Sequence, residues 1–141
     1  MMDARFLIDA NTVIYIRRAQ PPSVLRVFER LRQGEAVISV ITYGELEYGV
    51  SKAVARASAK ELLARIVNRL PVLPLPKEAG GIYGAIRADL ERTGRMIGNN
   101  DLWIAAHAMS AGLTLVTNNE KEFRRVSGLR MENWVRQSPT L

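Results

Sequence analysis

Short apolar segments alternate along this chain with longer stretches of helical periodicity. Three of these segments are rich in aliphatic and β-branched residues, which favour strands, and a predicted helix follows each of the first two. Two strands joined through a helix run parallel in one sheet, because the crossover returns the chain to the edge where it started. The alternation therefore predicts βαβ units around a parallel sheet. The three strands are expected at 5–9, 36–40 and 113–117.

Other segments complete this expected order. The proline-rich segment 71–76 is restricted to a sheet edge, because proline lacks the backbone N–H that a central strand donates. A last strand is expected at 130–135. Three glycines, Gly80, Gly81 and Gly84, fall inside a helical pattern and are interpreted as sites of close helix packing. Helices are predicted over 11–18, 22–33, 42 to beyond 50, a basic Ala-rich stretch ending near 68, 77–92, 101–111 and 120–126.

The length and charge of the chain bound its organisation and its partners. With 141 residues, it has the size of one domain that buries a core without disulfides. We expect that domain over residues 1–135 and a flexible tail over 136–141. Lys and Arg number 20 against 14 Asp and Glu, so the net charge is +6. This surplus favours an anionic partner, above all nucleic acid.

Two scarce residue types exclude several classes of site. The sequence contains no Cys and one His, His107, which excludes disulfides, thiol nucleophiles, Cys-ligated zinc and multi-histidine metal sites. A metal would need oxygen ligands, which Mg²⁺ and Mn²⁺ accept. His107 lies in an Ala-rich helical segment, where we expect a packing residue with one hydrogen-bonded nitrogen. The sequence shows neither a signal-peptide core nor an apolar run that would cross a membrane, so a cytoplasmic protein is expected.

Acidic residues follow the predicted strands at the points where the strands end. Asp9 ends the first strand, and Glu45 follows the second. Glu120 and Glu122 follow the third, and Asp101 begins a helix. The carboxyl ends of parallel strands meet at one edge of the sheet, where ligands bind. Because converging carboxylates repel one another unless a divalent cation lies between them, the pattern predicts a site for such a cation.

Each acid also has a purely local interpretation. Asp9 is able to close a turn after its strand, and Thr42-x-x-Glu45 matches a capping box in which Glu45 satisfies a backbone donor. Asp101 and the two later glutamates are favoured in first helical turns by the helix dipole. Local capping gives no reason for all of these acids to fall at the same edge, which favours a shared site.

Four motifs, in this order, resemble those of the PIN-domain ribonucleases, specifically the VapC-type toxins of prokaryotic toxin–antitoxin pairs. The resemblance extends over nearly the whole chain. The motifs are Leu7-Ile8-Asp9-Ala10-Asn11, then 39–46 around Glu45, 97–108 around Asp101, and 115–119, which is followed by Glu122-Phe123 and Glu132-Asn133-Trp134.

This resemblance implies a three-layer α/β/α fold with a central parallel sheet and an acidic pocket that binds Mg²⁺ or Mn²⁺. Asp9, Glu45 and Asp101 match the first three acids of the family and are expected to bind the metal. Glu122 matches the fourth catalytic acid, where Asp is more usual, so we expect it to act through water, with Glu120 as the alternative. The residues expected to support the pocket are Asn11, Thr117 and Asn119.

The resemblance also implies a function. We expect a metal-dependent endoribonuclease that hydrolyses RNA, with tRNA as one candidate substrate, that a cognate antitoxin blocks and that forms a homodimer. Two alternatives stay open. One is a phosphatase or phosphotransferase with Asp9 as nucleophile, although such sites usually carry a second Asp where Asn11 stands. The other is an inactive RNA- or partner-binding PIN module, although this chain retains the first three acids.

Three basic residues recur at a spacing of four. Lys52, Arg56 and Lys60 are therefore predicted to share one helical face and are candidates for binding RNA phosphates. The alternative is an ordinary solvated helix face. The net charge of +6 favours phosphate binding, because an acidic pocket alone would repel a polyanion.

Overall fold

The structure, a computed structural model, describes residues 3–136. The predicted tail at 136–141 lies outside the described residues except for Arg136. Five strands form one sheet in which every neighbouring pair is parallel, as predicted. The strands are β1 (Phe6–Ile8), β2 (Ala36–Ser39), β3 (Val72–Leu73), β4 (Thr114–Val116) and β5 (Met131–Glu132), and their order in the sheet is β3-β2-β1-β4-β5.

The strand order creates a crevice at the centre of the sheet. From β1 the chain builds outward through β2 to β3, and it then adds β4 and β5 on the opposite side of β1. In open parallel sheets, ligands bind outside the carboxyl ends of the strands at such a reversal. The proline-flanked strand β3 lies at the sheet edge, which confirms the prediction for segment 71–76.

Seven helices connect and flank the strands in the described part of the chain. None of the helices in residues 3–136 is both long and apolar enough to cross a membrane. The helices are α1 (Ala10–Arg18), α2 (Pro22–Glu29), α3 (Val40–Ser51), α4 (Arg56–Arg69), α5 (Ala79–Arg92), α6 (Asn99–Ala111) and α7 (Glu120–Phe123).

Apolar side chains of the central strand alternate between two cores, one on each face of the sheet. Phe6 and Ile8 point into a core that α1 and α2 complete, whereas Leu7 points into a core that α5 and α6 complete. All three side chains are at most 2% exposed. Full burial of such a side chain contributes about 1.5–3 kcal/mol, so both faces stabilise β1. This arrangement is the predicted three-layer α/β/α fold.

The third helix begins two residues earlier than predicted. Ser39 ends β2 and caps α3, because its Oγ accepts a hydrogen bond from the backbone N–H of Ile41 at 3.1 Å. The capping box expected at Thr42 and Glu45 is therefore wrong. The Thr42 hydroxyl is buried and has no partner among the described residues. Glu45 lies well inside the helix, where it has no capping role.

The glycines of α5 are not sites of close packing, contrary to the sequence-based interpretation. A Cβ atom built on Gly80, Gly81 or Gly84 would meet no other atom within 4 Å. These positions therefore carry the entropic disadvantage of glycine in a helix without a packing benefit. Gly112 is different, because it ends α6 with a φ of 68°, a left-handed conformation that favours glycine.

Alanine substitutions at Gly84 and Gly112 should change stability in opposite directions. We expect Gly84→Ala to raise the free energy of unfolding by about 0.5–1 kcal/mol, because alanine restricts the unfolded chain and fits the open space. Gly112→Ala should lower it by about 1 kcal/mol through left-handed strain. Urea denaturation measures both changes, and a destabilising Gly84→Ala would show that this glycine does have a packing role.

Candidate metal centre

Asp9 lies at the sheet reversal, directly after the central strand. Its carboxylate is 8% exposed, and Oδ1 accepts a hydrogen bond from the backbone N–H of Thr12 at 2.8 Å, which caps α1. Burial raises the pKa of Asp9 above its ordinary value, and hydrogen bonds from Thr117 and Thr12 oppose that rise. Asp9 thus has a local role, as the cap of α1, in place of the simple turn that the sequence suggested. This role does not exclude a second one, because the cap uses one of two carboxylate oxygens.

Glu45 extends from α3 towards the first turn of α6. Its Oε2 accepts a hydrogen bond from the Asn100 side-chain amide at 3.5 Å. Asn100 had no role in the sequence analysis, although it immediately precedes Asp101 in one of the recognised motifs. An amide in a first helical turn is by itself a weak indication of function. The partner of Asn100 lies 55 residues earlier in the chain, so no local pattern reveals it.

The pKa of Asp101 is raised by its burial and by the neighbouring acids. Its pKa rises to about 6, because burial disfavours the charged form and because Glu122, Glu45 and Asp9 repel the charge, in that order. A carboxylate in a first helical turn is normally stabilised by about 0.3–1 kcal/mol through the helix dipole. The raised pKa shows that burial and repulsion outweigh this benefit. Glu122, Glu45 and Asp9 therefore all lie close enough to Asp101 to repel its charge.

The two glutamates of α7 have different surroundings. Glu120 accepts a hydrogen bond from Asn133 at 2.8 Å and forms ion pairs with Arg124 and Arg136. The Asn133 hydrogen bond is the main cause that lowers the pKa of Glu120, and the arginines contribute further. Glu122 instead acts on Asp101 by repulsion. Glu120 is thus engaged by Asn133 and the arginines, whereas Glu122 lies close enough to Asp101 to repel its charge.

The three predicted support residues differ in their contacts. Thr117 is 1% exposed, hydrogen-bonds to Asp9, and accepts a hydrogen bond from the backbone N–H of Asn119 at 2.9 Å. It therefore links the turn after β4 to the acid after β1. Asn119 precedes α7 without capping it through its side chain. Asn11 is exposed on the first turn of α1, next to Asp9.

The donor chemistry of the pocket fits a hard divalent cation. Its acidic side chains are all carboxylates, and the single histidine is buried between α3 and α6. Within residues 3–136, no three acidic or histidine side chains already form a group that would hold an ion by themselves. Mg²⁺ accepts carboxylate oxygens and usually keeps several waters in its coordination shell. A fully dehydrated protein cage is not required.

The basic stripe predicted over Lys52, Arg56 and Lys60 does not form a single helical face. Lys52 ends α3, whereas Arg56 is the first residue of α4, because the chain turns between them. Arg56 and Lys60 do share α4, and all three side chains are exposed. Lys52 nevertheless lines a groove of about 430 Å³ together with Glu45. A cation and a pocket acid therefore face the same groove.

Removal of the Asp101 charge should stabilise the metal-free protein at high pH. The pKa of about 6 lies above the ordinary 3.8, so the native state holds the proton more tightly than the unfolded chain. Stability therefore decreases as pH rises through this interval. We expect Asp101→Asn to melt at a higher temperature than wild type at pH 8 and at a similar temperature at pH 4. Thermal melts in a chelator measure this, and a lower melting temperature for the variant at pH 8 would contradict the repulsion.

Comparison with known proteins assigns the fold to a family. The profile of the PIN domain matches residues 6–129. The ribonuclease VapC2 of Haemophilus influenzae is 39% identical over 93% of this chain and 98% of its own length. The tRNA(fMet)-specific endonuclease VapC of Shigella flexneri is 42% identical over 92% of this chain and 98% of its own length.

Solved structures agree with these sequence relatives. The DNA-bound VapBC structure from Salmonella typhimurium contains a chain with a TM-score of 0.86 and 38% identity, covering 93% of this chain and 98% of that one. The DNA-bound VapBC2 structure from Rickettsia felis gives a TM-score of 0.85 and 38% identity over 92% of this chain and 98% of that one. The sheet, the matched motifs and the near-complete coverage establish that the chain belongs to the PIN-domain family and, within it, to the VapC ribonucleases.

Proposed function

We propose that this chain is a divalent-metal-dependent endoribonuclease and the toxin of a VapBC-type toxin–antitoxin pair. The observation that carries the proposal is that Glu122, Glu45 and Asp9 all lie close enough to Asp101 to repel its charge at the reversal of a parallel sheet. The identity to VapC ribonucleases supports the same activity and favours it over the phosphatase that the sequence left open. Because RNA is its proposed substrate, we assign the protein to the cytoplasm.

Three carboxylates form the proposed metal site. Asp9, Glu45 and Asp101 would hold the ion, which we take to be Mg²⁺, with Mn²⁺ as the alternative. When bound, such an ion supplies Lewis acidity, which activates water and stabilises negative charge on a phosphodiester. Hydrogen bonds from Thr12 and Thr117 orient the Asp9 carboxylate before any ligand arrives. This preorganisation matters because small misplacements of ligands reduce activity.

The residues of the pocket also handle protons. Hydrolysis adds water to phosphorus and breaks the bond to the 3′ oxygen, which leaves a 5′-phosphate and a 3′-hydroxyl. One proton of the attacking water passes to a carboxylate, and the departing 3′ oxygen gains a proton. We assign the first transfer to Glu122, which is within electrostatic reach of Asp101 and does not share the ion pairs that occupy Glu120. Glu122 thereby acts through water.

The substrate and partners follow from the charge of the chain and from its relatives. Lys52, Arg56 and Lys60 are proposed to bind the RNA backbone, and the net charge of +6 supports a polyanionic substrate. Two relatives that are 42% and 38% identical are tRNA(fMet)-specific endonucleases, so we propose a tRNA substrate. The likeness to VapBC complexes supports a cognate antitoxin as the blocking partner. The homodimer stays a prediction, which light scattering measures.

Neutralisation of the pocket acids should abolish cleavage without unfolding the protein. We expect Asp9→Asn to reduce the cleavage rate at least about 100-fold, because it removes a charge and a ligand, while the fold is preserved because Asn caps a helix about as well as Asp. Glu45→Gln should cause a loss of similar size, and Glu122→Gln a smaller one. Circular dichroism confirms the fold, and mapping of new RNA 5′ ends after induction in cells identifies the cleaved RNA and bond.

Glu120→Gln is the matched control for this series, because Glu120 lies two residues from Glu122 but takes part in ion pairs outside the pocket. It should cleave RNA at nearly the wild-type rate. Full activity in a folded Asp9→Asn protein would exclude the proposed function. Equal and negligible effects of Glu45→Gln and Glu122→Gln would restrict the site to the two aspartates.

Removal of the basic residues should weaken RNA binding without altering its sequence preference. We expect the triple change of Lys52, Arg56 and Lys60 to Ala to flatten the salt dependence of RNA affinity by up to about three units of slope, because up to three phosphate contacts disappear. Metal affinity and fold should be preserved. Alanine substitution of Arg87, Arg92 and Arg95 is the comparison. If the first variant keeps the wild-type salt dependence and the second has a flatter one, RNA binds at the surface of Arg87, Arg92 and Arg95 instead.

A further inference from the structure

The single histidine has a buried contact that the proposed reaction does not use. The His107 side chain is 0% exposed, and its Nδ1 lies 2.8 Å from the Oγ of Ser39. Its Nε2 has no hydrogen-bond partner among the described residues. Burial lowers the pKa of His107, so the ring is neutral at physiological pH. The expectation of a packing residue with one hydrogen-bonded nitrogen is therefore confirmed, but that one bond joins two functional helices.

Ser39 uses its hydroxyl twice at the start of α3. The Oγ accepts from the backbone N–H of Ile41, and the hydroxyl proton remains available for Nδ1 of His107. We assign the imidazole proton to Nε2, because this tautomer leaves only the Nε2–H unpaired, whereas the opposite tautomer would leave both the hydroxyl proton and the Nε2 lone pair unpaired. Ser39 thereby fixes both the first turn of α3 and the position of that turn relative to α6.

On each of the two helices, the pocket acid lies six residues from the residue that forms this bond. Glu45 lies six residues after Ser39, and Asp101 lies six residues before His107. The contacts of Ser39 with His107 and of Glu45 with Asn100 therefore describe an antiparallel helix pair. Six residues correspond to about 9 Å along a helix axis. The acids lie near one end of the pair and the Ser39–His107 bond near the other.

We propose that the Ser39–His107 hydrogen bond positions Glu45 relative to Asp101, which makes Ser39 and His107 positioning residues for the metal site. This inference rests on the proposed function. Within residues 3–136, the side-chain hydrogen bonds that join the stretch 39–51 to α6 are this bond and the longer contact of 3.5 Å between Glu45 and Asn100. Apolar packing is not directional, whereas a hydrogen bond restricts both distance and angle. The buried bond therefore specifies the register of the two helices.

Thr42 provides a matched control on the same helix. It lies on α3 midway between Ser39 and Glu45, it is 0% exposed, and its hydroxyl has no partner among the described residues. Thr42→Val therefore changes a buried side chain of α3 while it keeps the shape of that side chain and breaks no side-chain hydrogen bond. A general sensitivity of α3 to buried substitutions would affect Thr42→Val as well, whereas a role specific to the Ser39–His107 bond leaves Thr42→Val like wild type.

The experiment measures the affinity of the whole protein for Mn²⁺ alone by calorimetry, together with metal-free thermal melts. We expect His107→Leu and Ser39→Ala each to weaken binding about tenfold, as changes behind metal ligands commonly do. The double variant should lose no more affinity than Ser39→Ala alone, because that change already removes the same bond together with the cap of α3. His107→Asn should recover most of the affinity, since its amide presents a polar atom at the same number of bonds from Cα as Nδ1. Thr42→Val should bind like wild type.

The outcomes separate this inference from the proposed function. Wild-type affinity in folded His107→Leu would overturn the positioning role alone, provided that Asp101→Asn abolishes binding. Equal losses in Thr42→Val and His107→Leu would overturn it as well, because the effect would then belong to packing. If His107→Leu fails to fold, Ser39→Ala takes its place. Wild-type affinity in folded Ser39→Ala would then overturn the positioning role, and weakened binding in Ser39→Ala with near-wild-type binding in His107→Asn would support it. Failure of the wild-type protein to bind Mn²⁺ would overturn the proposed function and, with it, this inference.

Discussion

Repulsion among carboxylates at one edge of the sheet is the constraint on which the rest of the molecule depends. Burial and the charges of Glu122, Glu45 and Asp9 raise the pKa of Asp101 to about 6, so the ionised pocket opposes folding at neutral pH. Other contacts must hold the acids in place. The central strand, buried on both faces of the sheet, anchors Asp9, and the cap of α1 and the Ser39–His107 bond restrict how the chain continues into the helices.

Capping and function are not exclusive interpretations of an acidic residue. Asp9 caps α1 through one oxygen and still belongs to the pocket, because a carboxylate has two oxygens with several acceptor positions. Glu45 presents the opposite case. Ser39 takes over the cap of α3, which leaves Glu45 without a local role. A polar residue inside a helix with no local partner is a stronger functional signal than an acid at a helix start.

The sequence predicted those features that depend on neighbouring residues. Strand periodicity, the edge position of the proline-rich segment and the acid after β1 all follow from patterns a few residues long. The predictions were wrong where nearby residues offered a second way to begin or end a helix. Ser39 caps α3 in place of Thr42, and a turn after Lys52 separates it from Arg56 although their spacing fits one helix. The glycines of α5 had a sequence pattern but no neighbour to pack against.

The sequence by itself determined the chemistry of the site, because the lack of cysteine and the single histidine leave only oxygen ligands, and the order of strands and helices requires a parallel sheet. Tertiary structure alone decided how the two glutamates of α7 are engaged. Both follow the third strand, and only tertiary contacts give Glu120 its partners Asn133 and Arg136. The Ser39–His107 bond likewise joins residues 68 positions apart. Such contacts depend on how helices pack across the sheet, and no local pattern encodes that distance.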